Sequence, residues 1–294
     1  MSSTRSDAAR EAGQARLDLR VNLPQSTDKI TGIDLTHIIH TDDVAAAKGG
    51  PGGGGGGGGS GGGTTFSPYI SGAANGTAGY DIKIEFIGTG WTQDYYNIFV
   101  SAADRLTSLI IGDLQDVSVR SKGKVTTVDD ITITAELGQI DGLYGILGQA
   151  GPTAIRTSNS LPATAQMQFD VVDVADMGLS MFSEVILHEM SHSLGFGSIW
   201  DNLGLVSNGQ FTGTTANSEY HKLGGVGYIP VEQEGGSGTA GSHWDEETFN
   251  NELMTGYIND GANPYSAMSA AAFKDMGYTI RADYAAWADS YFLA

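Results

Sequence analysis

Nine residues, HEMSHSLGF (188–196), carry a dense set of reactive groups. The chain has six histidines, and two of them, His188 and His192, stand four positions apart with Glu189 beside the first. On a helix, positions i and i+4 share one face. Both imidazoles can therefore reach one ion at about 2.0–2.1 Å. Glu189 is too close in sequence to His188 to share that ion comfortably, but it is well placed to touch a water there. Two nitrogen ligands and a general base make up the HExxH arrangement of zinc-assisted hydrolysis. Gly195, three residues after His192, is the expected helix-terminating turn, from which the chain can bend back and bring a third ligand from below.

A catalytic zinc takes three protein ligands and leaves one position open. The remaining histidines are His37, His40, His221 and His243. His37 and His40 lie far upstream, and His221 sits in SEYHKLGG without a distinguishing turn signal. His243 follows the small residues of GTAGS, where backbone can approach closely, and precedes a helical-looking DEETFNNEL. It is the expected third ligand, with His221 as the alternative.

These residues must be positioned by a larger frame. Residues 81–88 alternate Ile82, Ile84 and Phe86 on one face, as a strand does. Residues 94–111 place apolar side chains three and four apart, as a helix does. Residues 129–137 and 165–174 alternate again, the latter through Met167, Phe169 and Val171. A helix is expected over 180–195, capped by Ser180 or Ser183, and a last one over 266–277, capped by serine and stopped by glycine. Strands first and helices later predict an α+β fold.

Composition narrows the function. The 294 residues carry 34 acidic against 15 basic side chains, a net charge of −19. A phosphate backbone or an anionic membrane would be repelled, so nucleic acid is not an expected partner. The acidic surplus suits a soluble exported protein, with Ca2+ carried as a second candidate cation. With no cysteine, disulfides and thiolate ligands are excluded. No apolar run approaches the length of a membrane span, and the first twenty residues show no apolar core of a secretory signal.

Thirteen of the fifteen residues over 49–63 are glycine, a composition that cannot repay its folding entropy. The expected organisation is a tail or prosegment over 1–48, a poly-glycine linker over 49–63 and a catalytic domain over 64–294. A solvated, disordered leader is the favoured state of the tail. THIIHTDD is the alternative, its His37, His40, Asp42 or Asp43 capping the metal in a latent form.

HExxHxxGF, a distant SHW and ELMTG together resemble the leishmanolysin-like branch of the metzincin zinc peptidases. DITITAELGQIDGLYGILGQAGPTAIR, LPATAQMQFD and AAFKDMGYTI also look like stretches of bacterial members of that family, so the likeness runs from about residue 81 to 280. Most metzincins carry the third histidine where this chain has Ser198, and the leishmanolysin-like branch delays it behind an insertion. The resemblance implies one zinc held by His188, His192 and His243, with Glu189 as general base. It implies a Met-turn at Met254 beneath the metal, and it makes Tyr257 a candidate for assisting at the substrate carbonyl. It also implies an N-terminal subdomain with a twisted sheet and the active-site helix, and a C-terminal subdomain bearing the third ligand. The function implied is hydrolysis of proteins or peptides. ADSYFLA at the end resembles the address of proteins exported by bacterial type I systems. The competing readings are a catalytically silent, adhesin-like zinc protein, a zinc hydrolase of non-peptide substrates, and a carbohydrate-binding module.

Overall fold

The structure is a computed structural model that describes residues 17–21, 66–72, 79–121, 123–143, 145–236, 238–259 and 261–293. The expected poly-glycine linker, His37, His40, Asp42 and Asp43 lie outside the described residues. The elements in chain order are β1 (Leu17–Val21), β2 (Tyr69–Ile70), β3 (Ile82–Ile87), α1 (Gln93–Leu109), β4 (Val117–Ser121), β5 (Lys124–Val128), β6 (Ile131–Gly138), β7 (Ile146–Ile155), β8 (Pro162–Asp170) and α2 (Val171–Ser193). There follow β9 (Val206–Ser207), β10 (Gln210–Phe211), α3 (Thr214–Lys222), β11 (Ile229–Pro230), α4 (Glu246–Phe249), β12 (Tyr257–Ile258), α5 (Ala267–Asp275) and α6 (Tyr284–Trp287). The fold is mixed α+β, as expected. Among the described residues no helix is long and apolar enough to cross a membrane.

Seven strands form the main sheet in the order β12-β1-β7-β8-β6-β3-β2. β3, β6 and β8 run parallel, and β7 is antiparallel to β8. Along β6 the alternation is complete: Ile131, Ile133, Ala135 and Leu137 are buried and the residues between them are half-buried. The buried face meets α1 and α2 through edge-on aromatic rings. Phe99 of α1 touches Phe86 and Phe169 with ring centres at 5.5 and 5.6 Å, and Phe182 of α2 meets Phe169 at 5.4 Å. Such pairs add about 0.5–1.5 kcal/mol each beyond the area they bury.

β1 lies within the stretch expected as a disordered leader. Its backbone pairs parallel with β7 and antiparallel with β12. The sequence RLDLRV alternates apolar and charged residues, which is the period a strand needs.

Two boundaries differ from expectation. The alternation of β8 ends at Phe169, and Val171 starts the helix with its side chain exposed. Asp170 makes the break. Its Oδ1 accepts the Val172 N–H at 2.9 Å and caps the helix, while Oδ2 accepts the N–H groups of Ile140, Asp141 and Gly142 at 2.7–3.0 Å. Neither Ser180 nor Ser183 is a cap, and Ser183 Oγ donates to the Ser180 carbonyl at 2.6 Å. The second leg of α2 begins instead at Gly178, whose φ of 75° and ψ of 165° kink the helix. Only glycine adopts that conformation without strain.

Beyond α2 the chain makes turns and short elements. α3 docks on α5 as the Thr215 and Ala216 N–H groups donate to the Asp275 carboxylate at 2.9 and 2.8 Å. Phe196, Trp200, Phe211 and Trp244 form a wholly buried aromatic cluster that gives this irregular region a core.

Candidate metal centre

The second leg of α2 carries His188 and His192 one turn apart, both fully buried. The helix ends in a Schellman turn. The Phe196 N–H donates to the Ser191 carbonyl and the Gly195 N–H to the His192 carbonyl, both at 3.0 Å. Gly195 has φ of 102°, and a Cβ there would lie 2.7 Å from Ile199 Cδ1. The turn brings the Phe196 carbonyl back over the helix, where it accepts the His192 Nδ1–H at 2.7 Å. The motif that stops the helix therefore also orients one imidazole.

The segment after Gly195 brings in His243. Gly197 has φ of 69° and presses against Ser242 so closely that a Cβ would fall 1.9 Å from the Ser242 carbonyl oxygen. This contact leaves little trace in the sequence, where its only signal is a second glycine two residues after the first. Trp244 donates its backbone N–H to the Met254 carbonyl at 3.0 Å, tying the 243–244 segment to the 252–255 turn.

The three histidines meet at their Nε2 atoms. His188 and His192 are 2.8 Å apart there, His192 and His243 3.1 Å, and His188 and His243 3.2 Å. Each Nδ1 faces a backbone carbonyl: Leu253 for His188 at 2.7 Å, Phe196 for His192 at 2.7 Å and Thr239 for His243 at 3.0 Å. A carbonyl can only accept, so each Nδ1 carries the proton and each Nε2 lone pair is bare. Three bare lone pairs aimed at one point fit a cation of imidazole preference, and zinc takes such nitrogens at about 2.0–2.1 Å. Burial holds the rings neutral. It pushes the His188 and His192 pKa values well below the ordinary 6.5, with neighbouring imidazoles adding to the effect, and takes His243 down to about 4.

The other predicted residues are distributed around this point. Glu189 is buried in the same helical turn, and its Cγ would lie 3.2 Å from a Cβ placed on Gly148 of β7. Met254 is buried beside Leu253, whose carbonyl orients His188. Tyr257 lies in β12, half-buried and three residues further on. Ser198 donates to the His192 carbonyl at 2.9 Å. His221, the alternative ligand, is on α3 with Nε2 2.7 Å from the Gly227 carbonyl, and among the described residues it is not in the cluster.

Calcium finds no support. Two other carboxylate groupings exist, Asp81/Asp129/Asp130 and Asp141/Asp170/Asp173. In each, a buried carboxylate is committed to the backbone. Asp170 takes four N–H groups, and Asp130 takes those of Asp81 and Leu114 at 2.6 and 2.7 Å.

In this mixed α+β fold His188 and His192 of one helix converge with His243 from a later segment, and the sequence comparisons add to that picture. Residues 145–290 match the family profile described as leishmanolysin. A leishmanolysin homolog from Crithidia fasciculata is 30% identical over 152 residues, covering 46% of this chain and 22% of that protein. The leishmanolysins of Leishmania donovani and Leishmania major are each 28% identical, over 136 and 149 residues, or 41% and 46% of this chain. The chain spans less than a quarter of the length of these relatives, at 22–24%. Over the matched region this is a leishmanolysin-like chain.

Gly197→Ala and Gly204→Ala separate close approach from backbone strain. Gly204 also has positive φ, at 65°, but open space around its Cα. Gly204→Ala should destabilise the fold by about 1 kcal/mol. Gly197→Ala adds a steric clash to that strain, and should cost about 2–4 kcal/mol in urea denaturation. Equal effects of the two variants would contradict the placement of residue 197 against Ser242.

Proposed function

We propose that the chain is a zinc-dependent endopeptidase that hydrolyses peptide bonds of protein or peptide substrates, with one zinc held by His188, His192 and His243. The carrying observation is the convergence of three Nε2 atoms whose Nδ1 partners are all spoken for by carbonyls. Bound zinc supplies Lewis acidity towards water and towards a substrate carbonyl. Glu189 acts as the general base. It accepts a proton from the attacking water and delivers it to the departing amine. Its burial beside β7 keeps bulk water from competing for that proton. Met254 supports the site from below as a Met-turn, and Tyr257 assists at the carbonyl. The sheet with α2 forms one subdomain, and the part bearing His243 and Met254 the other. The adhesin-like reading gains nothing from these features, since the proposed base and ligand residues are all present, and the likeness to leishmanolysins speaks against a non-peptide substrate.

The proposal extends to the organisation of the chain: a prosegment over 1–48, a linker over 49–63 and a catalytic domain over 64–294. Leu19 is in register with Gly148, and β7 at Gly148 lies against Glu189. β1 thus sits one strand away from the general base, between β7 and the β12 segment that follows Met254. An extended segment there limits access of a substrate peptide. Export from a bacterial cell suits the net charge of −19. The C-terminal stretch read as an address also has structural partners, since Asp289 accepts the Tyr265 N–H at 2.9 Å and the Tyr291 hydroxyl donates to the Phe249 carbonyl at 2.7 Å.

Glu189→Gln should keep one zinc per chain by mass spectrometry and lose casein hydrolysis by about 10²–10⁴-fold. Zinc retained with normal hydrolysis would remove Glu189 as the base. For the N-terminal segment, Leu19→Pro in the full chain deletes a backbone donor from β1 and breaks its pairing. Casein hydrolysis should rise severalfold at unchanged zinc content. A loss of zinc or a drop in hydrolysis would instead make β1 an integral strand of the catalytic fold.

A further inference from the structure

Glu252 is fully buried, is not a metal ligand, and among the described residues has no cation paired to it. A buried carboxylate is costly unless its lone pairs are met. Here four donors meet them. Oε2 accepts the Met254 N–H at 2.6 Å. Oε1 accepts the Ser266 N–H at 3.0 Å, the Ser266 hydroxyl at 2.6 Å and the Ser269 hydroxyl at 2.5 Å. One side chain thereby clamps the 252–255 turn to the start of α5.

Both ends of this clamp lead to the histidines. Leu253, between Glu252 and Met254, presents the carbonyl that accepts the His188 Nδ1–H at 2.7 Å. Its own N–H is fixed by the Pro264 carbonyl at 3.0 Å. Ser269, held by Glu252, accepts the Trp244 indole N–H at 2.8 Å. Trp244 directly follows His243 and donates its backbone N–H to Met254. Two of the three imidazoles, on elements far apart in sequence, therefore take their position from one carboxylate.

We infer that Glu252 is a positioning residue of the metal centre, one that aims the Leu253 carbonyl at His188 and holds the His243–Trp244 segment in place. This rests on the reading of the three histidines as a zinc site. A carboxylate is needed because it only accepts. The amide of glutamine would turn a donor towards one of four donors. Residues that orient a ligating histidine commonly change metal affinity by about 10–100-fold when altered.

The test is zinc affinity of the full chain, measured by competition with a chromophoric chelator, for wild type and Glu252→Gln. Leu106→Ala, a buried α1 position with no hydrogen-bonded link to the histidines, serves as a control for lost stability. Glu252→Gln should bind zinc about 10–100-fold more weakly, and the visible spectrum of its Co(II) form should shift. Leu106→Ala should keep both the affinity and the spectrum even as its melting temperature falls. If Glu252→Gln proves unfolded, Ser269→Ala removes one donor and the Trp244 acceptor. It should weaken zinc severalfold, and wild-type affinity there would overturn the inference. Wild-type affinity and spectrum in a folded Glu252→Gln, or equal losses in the control, would overturn it as well and leave the zinc reading standing. Failure of the wild type itself to bind zinc would strike the underlying reading instead.

Discussion

Three neutral imidazoles whose bare Nε2 atoms face one another within 3.2 Å repel unless a cation sits among them. Protonating a ring would relieve the repulsion, but burial opposes that, as the His243 pKa of about 4 reflects. The surrounding structure has to enforce the arrangement. It does so with three backbone carbonyls, one per Nδ1–H, and each carbonyl belongs to a different local device. Phe196 is delivered by the Schellman turn, Leu253 by the turn clamped at Glu252, and Thr239 by the small-residue run before His243. A ligating histidine whose other nitrogen is bonded is fixed in both tautomer and orientation.

This dependence explains why the irregular region after α2 carries a large aromatic cluster. A loop that supplies one histidine of the cluster must be as rigid as the helix that supplies the other two. The Phe196, Trp200, Phe211 and Trp244 rings provide that rigidity through buried contact rather than regular hydrogen bonding. The rigid frame reaches the sheet through Phe182, which packs on Phe169 and Phe99, and the kink at Gly178 sets the direction of the histidine-bearing leg.

Much of this arrangement is legible in the amino-acid sequence. The i,i+4 spacing puts His188 and His192 on one face, and Gly195 announces the turn. Strict alternation marks β3 and β6 to within a residue or two. The features that escape a sequence reading do so for physical reasons. β7 contains Gly148, Gly151 and Pro152, so its apolar period is hidden although every residue is half or wholly buried. Val171 continues the alternation of β8 past its true end, because the four-donor capture of Asp170 is a tertiary fact. Serine is a good cap by type, which draws the expected helix start to Ser180 and Ser183, but a glycine at positive φ sets the break. β1 resembles a leader because a five-residue alternation ahead of a glycine tract carries little weight without the slot it fills. Glu252 shows nothing in sequence beyond standing two residues before Met254, and its partners at 266 and 269 are non-local.

The central claim is that His188, His192 and His243 hold one ion at their Nε2 atoms. Anomalous diffraction at the zinc K edge, on crystals of the full chain grown with zinc, tests it most directly. A single strong peak about 2.0–2.1 Å from all three Nε2 atoms is the expected result. A peak at His221, or a zinc held by two of these histidines with the third turned away, would contradict it.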